Sequence, residues 1–505
     1  MAEETAVSPQ SRINLRLIAQ ASLLLAFFIG LFAYVQFGTD ALAGNDGYYH
    51  IKMGWLIRQE GLKPDFPWLP QTILNPADYY DHHLLYHAYL ALFAATDPAV
   101  DGGAGLTQAA KIASILLPSL AFLAVWWLLR GQGVRYAAVW ALGLMAVSSA
   151  FLYRMSMPRA QSASLLVLAL ALHWLLKGRY RLLLPLGFLY VWLYNDFPLL
   201  LVLAGFYAGV VWLMERRVAW QALVYPALGI GLGLVVNPYF PENATFIVSH
   251  LLPKIGESAT RVGNEWYPYE TDTLLRNSGF ALAAFVLGIF ALGWQNKRMD
   301  KATLLALVTA VFFGFLLFRS RRFVEYFPAF ALIFAAFSLA PVIDGWWAGK
   351  RPIFHRLIPV LMLLVLAYPL AQTLTAARED LAGSKPADQY AAAALWLRAH
   401  SEPGAHVFQT DWDDFTRLFF YNTDAVYTAG LDPTYTELYD ANLYEEWVAV
   451  TKGKVDTPSE FIKAQYGSEF VFTDLNHENF LQKAAEDPGL EEVYRDDYAV
   501  IFAVR

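Results

Sequence analysis

Acidic and histidine side chains follow the first apolar stretch of the chain at a spacing that suits chemistry. Asp46 lies between Asn45 and Gly47, and His50 follows four residues later. In a helix this spacing places both side chains on one face. A carboxylate there can take a proton from a hydroxyl group or bind a metal ion. We predict an acid–base or hydroxyl-orienting site centred on Asp46.

A second group lies in the segment YYDHHLLYHAYLALF, residues 79–93. It contains Asp81, His82 and His83, and His87 follows four residues after His83. These side chains can orient an acceptor group or bind a metal ion, although histidines at a membrane interface often do neither. The spacing leaves these alternatives open, so Asp81, His82 and His83 join His50 as candidate metal-binding or acceptor-orienting residues.

Arginines gather in two short turns beside apolar stretches. One turn contains Arg154 and Arg159, and the other contains Arg319, Arg321 and Arg322. Basic residues held at the edge of a membrane are more often functional, and their natural partner is a phosphate group. Ordinary snorkelling is the alternative. We predict phosphate binding by the second turn and by Arg159.

Two further carboxylates can supply a second acid. Asp196 lies in a very short turn, and Glu265 lies in NEWYPYE, residues 264–270. Asp196 can equally be a polar helix cap, and Glu265 can be a solvated loop residue. If a metal ion is bound, its predicted ligands are Asp46, His50 and Glu265.

The composition indicates a membrane protein. Of 505 residues, 57% are hydrophobic and 16% are charged, and the mean hydropathy is +0.36. Soluble domains carry about 25% charged residues. The values exclude a disordered chain and argue against a single soluble globule. The sequence has no Cys, which excludes disulfides, thiolate metal ligands and a Cys nucleophile.

The sequence predicts a mainly α polytopic membrane protein with about 11 transmembrane helices, because about 20 apolar residues cross a bilayer. The predicted spans are 16–37, 108–130, 135–153, 161–176, 181–195, 197–213, 219–236, 276–294, 302–318, 326–343 and 355–374. Short loops rich in Lys and Arg alternate with loops that are poor in them, which puts the N-terminus in the cytoplasm. The amphipathic segment 84–95 must then lie on the outer interface without spanning.

Charge and pattern divide the chain into two domains. Residues 1–374 form the predicted transmembrane domain, with long outer loops at 38–107 and 237–275. Residues 375–505 hold 10 Lys and Arg against 24 Asp and Glu, and we predict an extracytoplasmic α/β domain. Its expected strands are 405–411, 425–430, 469–475 and 498–505, and residues 434–452 are expected to be helical. No basic stripe marks a nucleic-acid partner.

Three segments resemble the GT-C membrane glycosyltransferases. DGYYHIKMGWLIRQEG (46–61) is similar to the opening of the oligosaccharyltransferase catalytic subunit. YDHHLLYHAYLALF (80–93) resembles the interfacial helix of the protein-mannosyltransferase-like branch, and RRFVEYFP (321–328) resembles the family's late R-F-x-x-Y turn. The resemblance in layout extends over most of the chain.

The resemblance implies a GT-C fold and a glycosyltransferase of the plasma (inner) membrane. It implies transfer of a sugar from a polyprenyl-phosphate- or diphosphate-linked donor to a protein, lipid or glycan at the outer face. Asp46 would be the catalytic residue and Arg322 the donor-phosphate ligand, and Trp412 with Asp413 would lie on the acceptor side. In oligosaccharyltransferases the second outer turn carries an acidic pair that helps to bind a metal ion. The corresponding turn here, YRMSMPRAQS (153–162), has no carboxylate, so the resemblance leaves binding of a divalent cation, Mg or Mn, open.

Two other functions are compatible with the pattern. A secondary transporter would carry polar residues at the membrane midplane, often in two related halves. A non-catalytic assembly protein would keep a lipid-phosphate groove, and the missing acidic pair favours it. In that case Arg321 and Arg322 would be needed while Asp46 would be dispensable.

Overall fold

The computed structural model describes residues 15–251, 263–295, 298–347 and 352–505. The predicted outer loop 237–275 therefore lies partly outside the described residues. Helices make up most of the described chain before residue 383. Short 3₁₀ helices at Tyr180–Leu182, Asn264–Trp266 and Arg321–Glu325 connect some of them.

The N-terminal part is a bundle of helices joined by short connections. In chain order they are α1 (Leu15–Gln36), α2 (Asp46–Glu60), α3 (Leu84–Ala91), α4 (Pro98–Asp101), α5 (Ala104–Gly131), α6 (Ala137–Leu142), α7 (Ser149–Ser156), α8 (Gln161–Leu176), α9 (Leu183–Leu193), α10 (Pro198–Glu215), α11 (Trp220–Val235), α12 (Glu242–Phe246), α13 (Thr271–Gln295), α14 (Lys301–Arg319), α15 (Phe327–Trp347) and α16 (Pro352–Ala382).

Within the described residues, seven helices are long and apolar enough to cross a membrane, namely α1, α5, α10, α13, α14, α15 and α16. The stretches 137–145 and 149–156 add an eighth span if this pair, bent by 82°, is one span. Three apolar helices are shorter, at 161–176, 180–193 and 220–235. Every predicted span coincides with one of these helices, but the count of about 11 stays a prediction.

Apolar side chains cover the outward faces of the long helices. Leu23 in α1 is 73% exposed, Phe290 in α13 is 70% exposed and Val365 in α16 is 74% exposed. A surface of this kind is unfavourable in water and suits contact with lipid chains. The chain is therefore a multi-pass membrane protein. The segment predicted to lie on the outer interface without crossing the membrane forms α3. Its eight residues extend only about 12 Å, which is too short to cross a bilayer.

The C-terminal part contains a five-stranded mixed sheet. The strands are β1 (His406–Gln409), β2 (Val426–Tyr427), β3 (Phe470–Asp474), β4 (Leu490–Arg495) and β5 (Ala499–Val504), in the order β2-β1-β3-β5-β4. Strand β1 is parallel to β2 and β3, and β5 is antiparallel to β3 and β4.

Six helices accompany the sheet; this part of the chain corrects one expectation and contains two elements that were not predicted. The helices are α17 (Ala391–His400), α18 (Phe415–Tyr421), α19 (Thr434–Tyr439), α20 (Ala441–Thr451), α21 (Pro458–Tyr466) and α22 (Glu478–Glu486). The helix expected over 434–452 is broken at Asp440, whose side chain caps α20. Strand β4 and helix α22 were not predicted. The strand is largely exposed and charged and gives no apolar alternation.

A buried arginine joins the sheet region to the start of α2. The fully buried Arg417 in α18 donates from Nε to Oδ1 of Asn45 at 2.7 Å and from Nη1 to the carbonyl of Pro386 at 2.6 Å. Its guanidinium also lies 4.3 Å from the ring centre of Tyr48. Because Asn45 precedes Asp46, this contact fixes the first turn of α2.

We expect Arg417→Met to destabilise the protein by about 2–4 kcal/mol, since it leaves several buried acceptors without a donor. The matched control is Arg398→Met, because Arg398 forms an exposed ion pair with Asp424, worth about 0–1 kcal/mol. Thermal unfolding of the purified protein in detergent measures both changes. Equal shifts of the unfolding midpoint would contradict the anchoring role.

Candidate functional site

Five charged residues from five separate segments lie next to one another. Each segment connects two helices or forms the first turn of one. The residues are Asp46 at the start of α2, Arg159 between α7 and α8, Asp196 between α9 and α10, Glu265 in Asn264–Trp266, and Arg322 in Arg321–Glu325.

Glu265 is the centre of this group. Its carboxylate lies 2.9 Å from Arg154, 3.3 Å from Arg159 and 3.7 Å from Arg322. Burial acts to raise the pKa of Glu265, but the three guanidinium groups outweigh it and hold the pKa well below its usual range. The alternative that Glu265 is a solvated loop residue is wrong, since its side chain is 22% exposed and shared by three arginines.

Asp46 reaches the same network through Arg159. Their side chains lie 3.1 Å apart, and Asp46 is 26% exposed. Burial raises the pKa of Asp46, and Arg159 opposes that rise. Gly47 permits the close approach, because a Cβ atom there would overlap the ring of Pro158. Asp46 is thus an accessible carboxylate whose affinity for a proton is raised, as a general base requires.

Arg322 forms the other side of the site. Its guanidinium lies 5.0 Å from the ring centre of Trp266 and 5.8 Å from that of Tyr194, whose hydroxyl accepts a hydrogen bond from it. Its carboxylate contacts are long, at 3.5 Å to Asp196 and 3.7 Å to Glu265. The rings therefore hold Arg322 in place while its hydrogen-bonding capacity is only partly used.

Asp196 is not the polar helix cap considered from the sequence. The residue at the cap of α10 is Phe197, and no side chain caps that helix. The carboxylate of Asp196 instead accepts a hydrogen bond from the hydroxyl of Tyr326. It thereby links Arg322 to the end of the Arg321–Glu325 turn.

Arg154 has a different role from Arg159 and Arg322. It donates from Nε to the buried carboxylate of Glu325 at 2.8 Å and from Nη1 to Glu265 at 2.9 Å. Two carboxylates bind Arg154 at short distance, so its role is to connect Glu265 with Glu325 rather than to bind a ligand. Glu325 was missed in the sequence, because its partner is 171 residues away and no local pattern signals the pair.

The other two arginines of the second turn point elsewhere. Arg321 donates to the carbonyl of Pro268 at 3.1 Å and lies over the ring of Tyr269. Arg319 is exposed at the end of α14. Only Arg322 of this turn contacts the carboxylate network, so we carry Arg322 alone forward from this turn as a candidate phosphate ligand.

The histidines form a separate buried cluster one turn along α2. Nδ1 of His50 lies 2.8 Å from Nε2 of His87, and Nδ1 of His87 lies 2.8 Å from Asp81. The ring of His83 lies 4.7 Å from that of His50, whereas His82 stacks on Phe246. Burial lowers the pKa of His50 and His83, which keeps these imidazoles neutral.

The segment predicted for the acceptor side lies beside the start of α2. Asn45 donates from Nδ2 to the backbone carbonyl of Asp413 at 2.9 Å. A Cβ atom at Gly263 would lie 3.9 Å from the ring of Trp412, which puts that ring near the segment of Glu265. Burial and the nearby Asp46 carboxylate raise the pKa of Asp413 to about 6.

The predicted metal ligands Asp46, His50 and Glu265 do not fit Mg or Mn, which prefer several oxygen ligands. The guanidinium of Arg159 bridges the carboxylates of Asp46 and Glu265 and takes the position between them. Two more arginines contact Glu265 and would repel a cation there. His50 is hydrogen-bonded into the histidine cluster instead.

Comparison with known proteins identifies the fold. No protein-family model and no curated protein sequence matches the chain. Among solved structures, the chain is similar to the Archaeoglobus fulgidus oligosaccharyltransferase in its apo form, with 16% identity and a TM-score of 0.65, covering 96% of this chain and 74% of that one.

Two ligand-bound structures are also similar. One is AglB from Archaeoglobus fulgidus in complex with an inhibitory peptide and a dolichol-phosphate, with 14% identity and a TM-score of 0.64, covering 98% of this chain and 75% of that one. The other is ArnT from Cupriavidus metallidurans bound to undecaprenyl phosphate, with 16% identity and a TM-score of 0.55, covering 97% and 98%. The chain therefore has the GT-C fold, as its motifs predicted.

We expect Asp413→Asn to stabilise the protein at pH 8 and to have little effect near pH 4. The raised pKa means that ionising this carboxyl destabilises the folded state as the pH rises from about 4 to about 6, by about 2–3 kcal/mol in total. At pH 4 the folded state holds the carboxyl neutral, so Asn resembles it. Unfolding midpoints of both proteins at the two pH values measure this, and an equal difference at both would contradict it.

Proposed function

We propose that the protein is a membrane glycosyltransferase that transfers a sugar from a polyprenyl-phosphate-linked donor to an acceptor at the outer face. One observation carries the proposal. Asp46 and Arg322 come from distant parts of the chain, yet Arg159 and Glu265 connect them in one partly exposed network. A base and a phosphate ligand are the two groups that this transfer needs.

Arg322 is the proposed ligand of the donor phosphate. A guanidinium group binds phosphate oxygens through charge-assisted, bidentate hydrogen bonds. The long contacts of Arg322 with Asp196 and Glu265 leave donors to turn toward a phosphate, and Trp266 and Tyr194 fix the plane of the group. Arg159 adds positive charge on the side of Asp46.

Asp46 is the proposed general base. It accepts the proton of the acceptor nucleophile as that atom bonds to the anomeric carbon of the sugar. The bond from this carbon to the phosphate oxygen breaks, and its electron pair leaves with the polyprenyl phosphate. Arg322 and Arg159 stabilise the negative charge that grows on the leaving group. No step requires a metal ion between the carboxylates.

The proposed partners are the lipid-linked donor, an acceptor protein, lipid or glycan, and membrane lipids. The solved AglB and ArnT structures hold a dolichol-phosphate and undecaprenyl phosphate, which supports a polyprenyl-linked donor for this chain. Trp412 and Asp413 lie beside Asp46 and are proposed to contact the acceptor.

The proposed location is the plasma (inner) membrane, with a cytoplasmic N-terminus and an external C-terminal domain. The basic residues near 130–135, 177–181 and 216–217 support this orientation. The sheet region contacts the start of α2 through Arg417, so the site and the acidic domain would share the outer side.

We expect Arg322→Gln to weaken binding of undecaprenyl phosphate at least tenfold, because a charge-assisted hydrogen bond is worth about 1.5–3 kcal/mol. The matched control, Arg321→Gln, should change binding less than threefold, since Arg321 points away from the carboxylates. Quenching of tryptophan fluorescence, with Trp266 beside Arg322, reports the binding. Unchanged affinity in Arg322→Gln, or equal losses in both variants, would remove Arg322 from this role.

We expect Asp46→Asn to lower transfer by about 10²–10⁴-fold while polyprenyl phosphate still binds. Release of labelled polyprenyl phosphate from a panel of polyprenyl-phosphate sugars, with the protein reconstituted in vesicles, measures transfer. Wild-type transfer by Asp46→Asn would exclude it as the base. Lipid binding without release by the wild-type protein would favour the assembly protein, and movement of the intact donor would favour the transporter.

A further inference from the structure

We propose that His50, His83 and His87 form a binding site for a transition-metal ion of the Zn²⁺ class. One ring nitrogen from each of the three lies within 4.8 Å of the others, and all three residues are buried. Imidazole nitrogen is a ligand that zinc and similar metals prefer, unlike Mg or Mn. The site is distinct from the carboxylate network and does not depend on the proposed function.

The hydrogen bonds of the cluster already select the coordinating atoms. Asp81 accepts from Nδ1 of His87 at 2.8 Å and from the backbone N–H of His83 at 2.9 Å. The first contact fixes the tautomer of His87, so its Nε2 accepts the Nδ1–H of His50 at 2.8 Å. A bound ion would replace this hydrogen bond, and the proton of His50 would move to its Nε2. A carboxylate behind a histidine in this way is the usual support of a metal ligand.

His83 supplies an independent sign of a missing partner. Its Nδ1 is buried and has no hydrogen-bond partner among the described residues, although buried polar atoms are normally satisfied. An imidazole nitrogen that has no hydrogen-bond partner and lies beside the rings of His50 and His87 is in a position to bind a metal ion.

The geometry needs only a small adjustment. A tetrahedral ion with nitrogen ligands at about 2.0–2.1 Å places those nitrogens about 3.3 Å apart. His50 and His87 must therefore separate slightly from 2.8 Å, and His83 must move inward. Three protein ligands leave one coordination position for water.

Such an ion would join the two segments that carry the candidate site. His50 lies in α2, one turn after Asp46, while His83 and His87 lie at the start of α3 and within it. The ring of His83 also lies 5.4 Å from that of Tyr194, which contacts Arg322. The ion would thus fix α2 against α3 close to both proposed functional groups.

The test is metal binding by the full chain, purified in detergent without a histidine tag and treated with a chelator. Titration with Co²⁺ should give the visible bands of a four-coordinate ion at one equivalent per chain, and Zn²⁺ should displace it. His87→Gln should lose at least tenfold in affinity. Asp81→Asn, a milder change in a positioning residue, should lose about 10–100-fold.

His82→Gln is the matched control, because His82 is the neighbour of a proposed ligand and stacks on Phe246. It should bind as the wild type does. Folded wild-type protein that binds no stoichiometric Co²⁺ or Zn²⁺ would overturn the proposal, as would wild-type affinity in both His87→Gln and Asp81→Asn. Either result would leave the proposed glycosyl transfer intact, since its assays measure lipid release and lipid binding.

Discussion

One carboxylate shared by three arginines is the interaction on which the site depends. Glu265 contacts Arg154 at the end of α7, Arg159 in the turn that follows it, and Arg322 in a turn far along the chain. Three guanidinium groups this close repel one another, and desolvation adds to the cost. The ionised Glu265 and the buried Glu325 offset that repulsion. Without them the three guanidinium groups would repel one another at this distance.

The network also divides the arginines by function. Arg154 is held by two carboxylates at short distance and serves the structure. Arg322 has long contacts with its carboxylate partners, and aromatic rings pack against its guanidinium group. The group is therefore held in one orientation but can still bind a phosphate. Arg159 connects the two carboxylates Asp46 and Glu265, because it contacts both of them. A phosphate placed at Arg322 would therefore lie within a site where Asp46, the proposed base, is already positioned.

The sequence predicted the helices well because apolar stretches of span length have few alternative structures. It predicted Asp46, Arg159, Glu265 and Arg322 as candidates because charges beside such stretches are unusual. It could not predict that Glu265 is the shared partner, that Glu325 supports Arg154, or that Asp196 accepts from Tyr326. Those contacts join residues more than 100 positions apart, and only the fold brings them together. Strand β4 was missed for a local reason, because its exposed charged residues do not give the alternation of apolar and polar residues that predicts a strand.

The most direct measurement of the central claim is the position of a bound lipid phosphate. An electron cryo-microscopy structure of the full chain in lipid nanodiscs with undecaprenyl phosphate would show it. We expect phosphate density within hydrogen-bonding distance of Arg322, with Asp46 facing the same space and Glu265 still bound to Arg154. Phosphate density elsewhere on the protein, with the contacts of Arg322 unchanged, would contradict it.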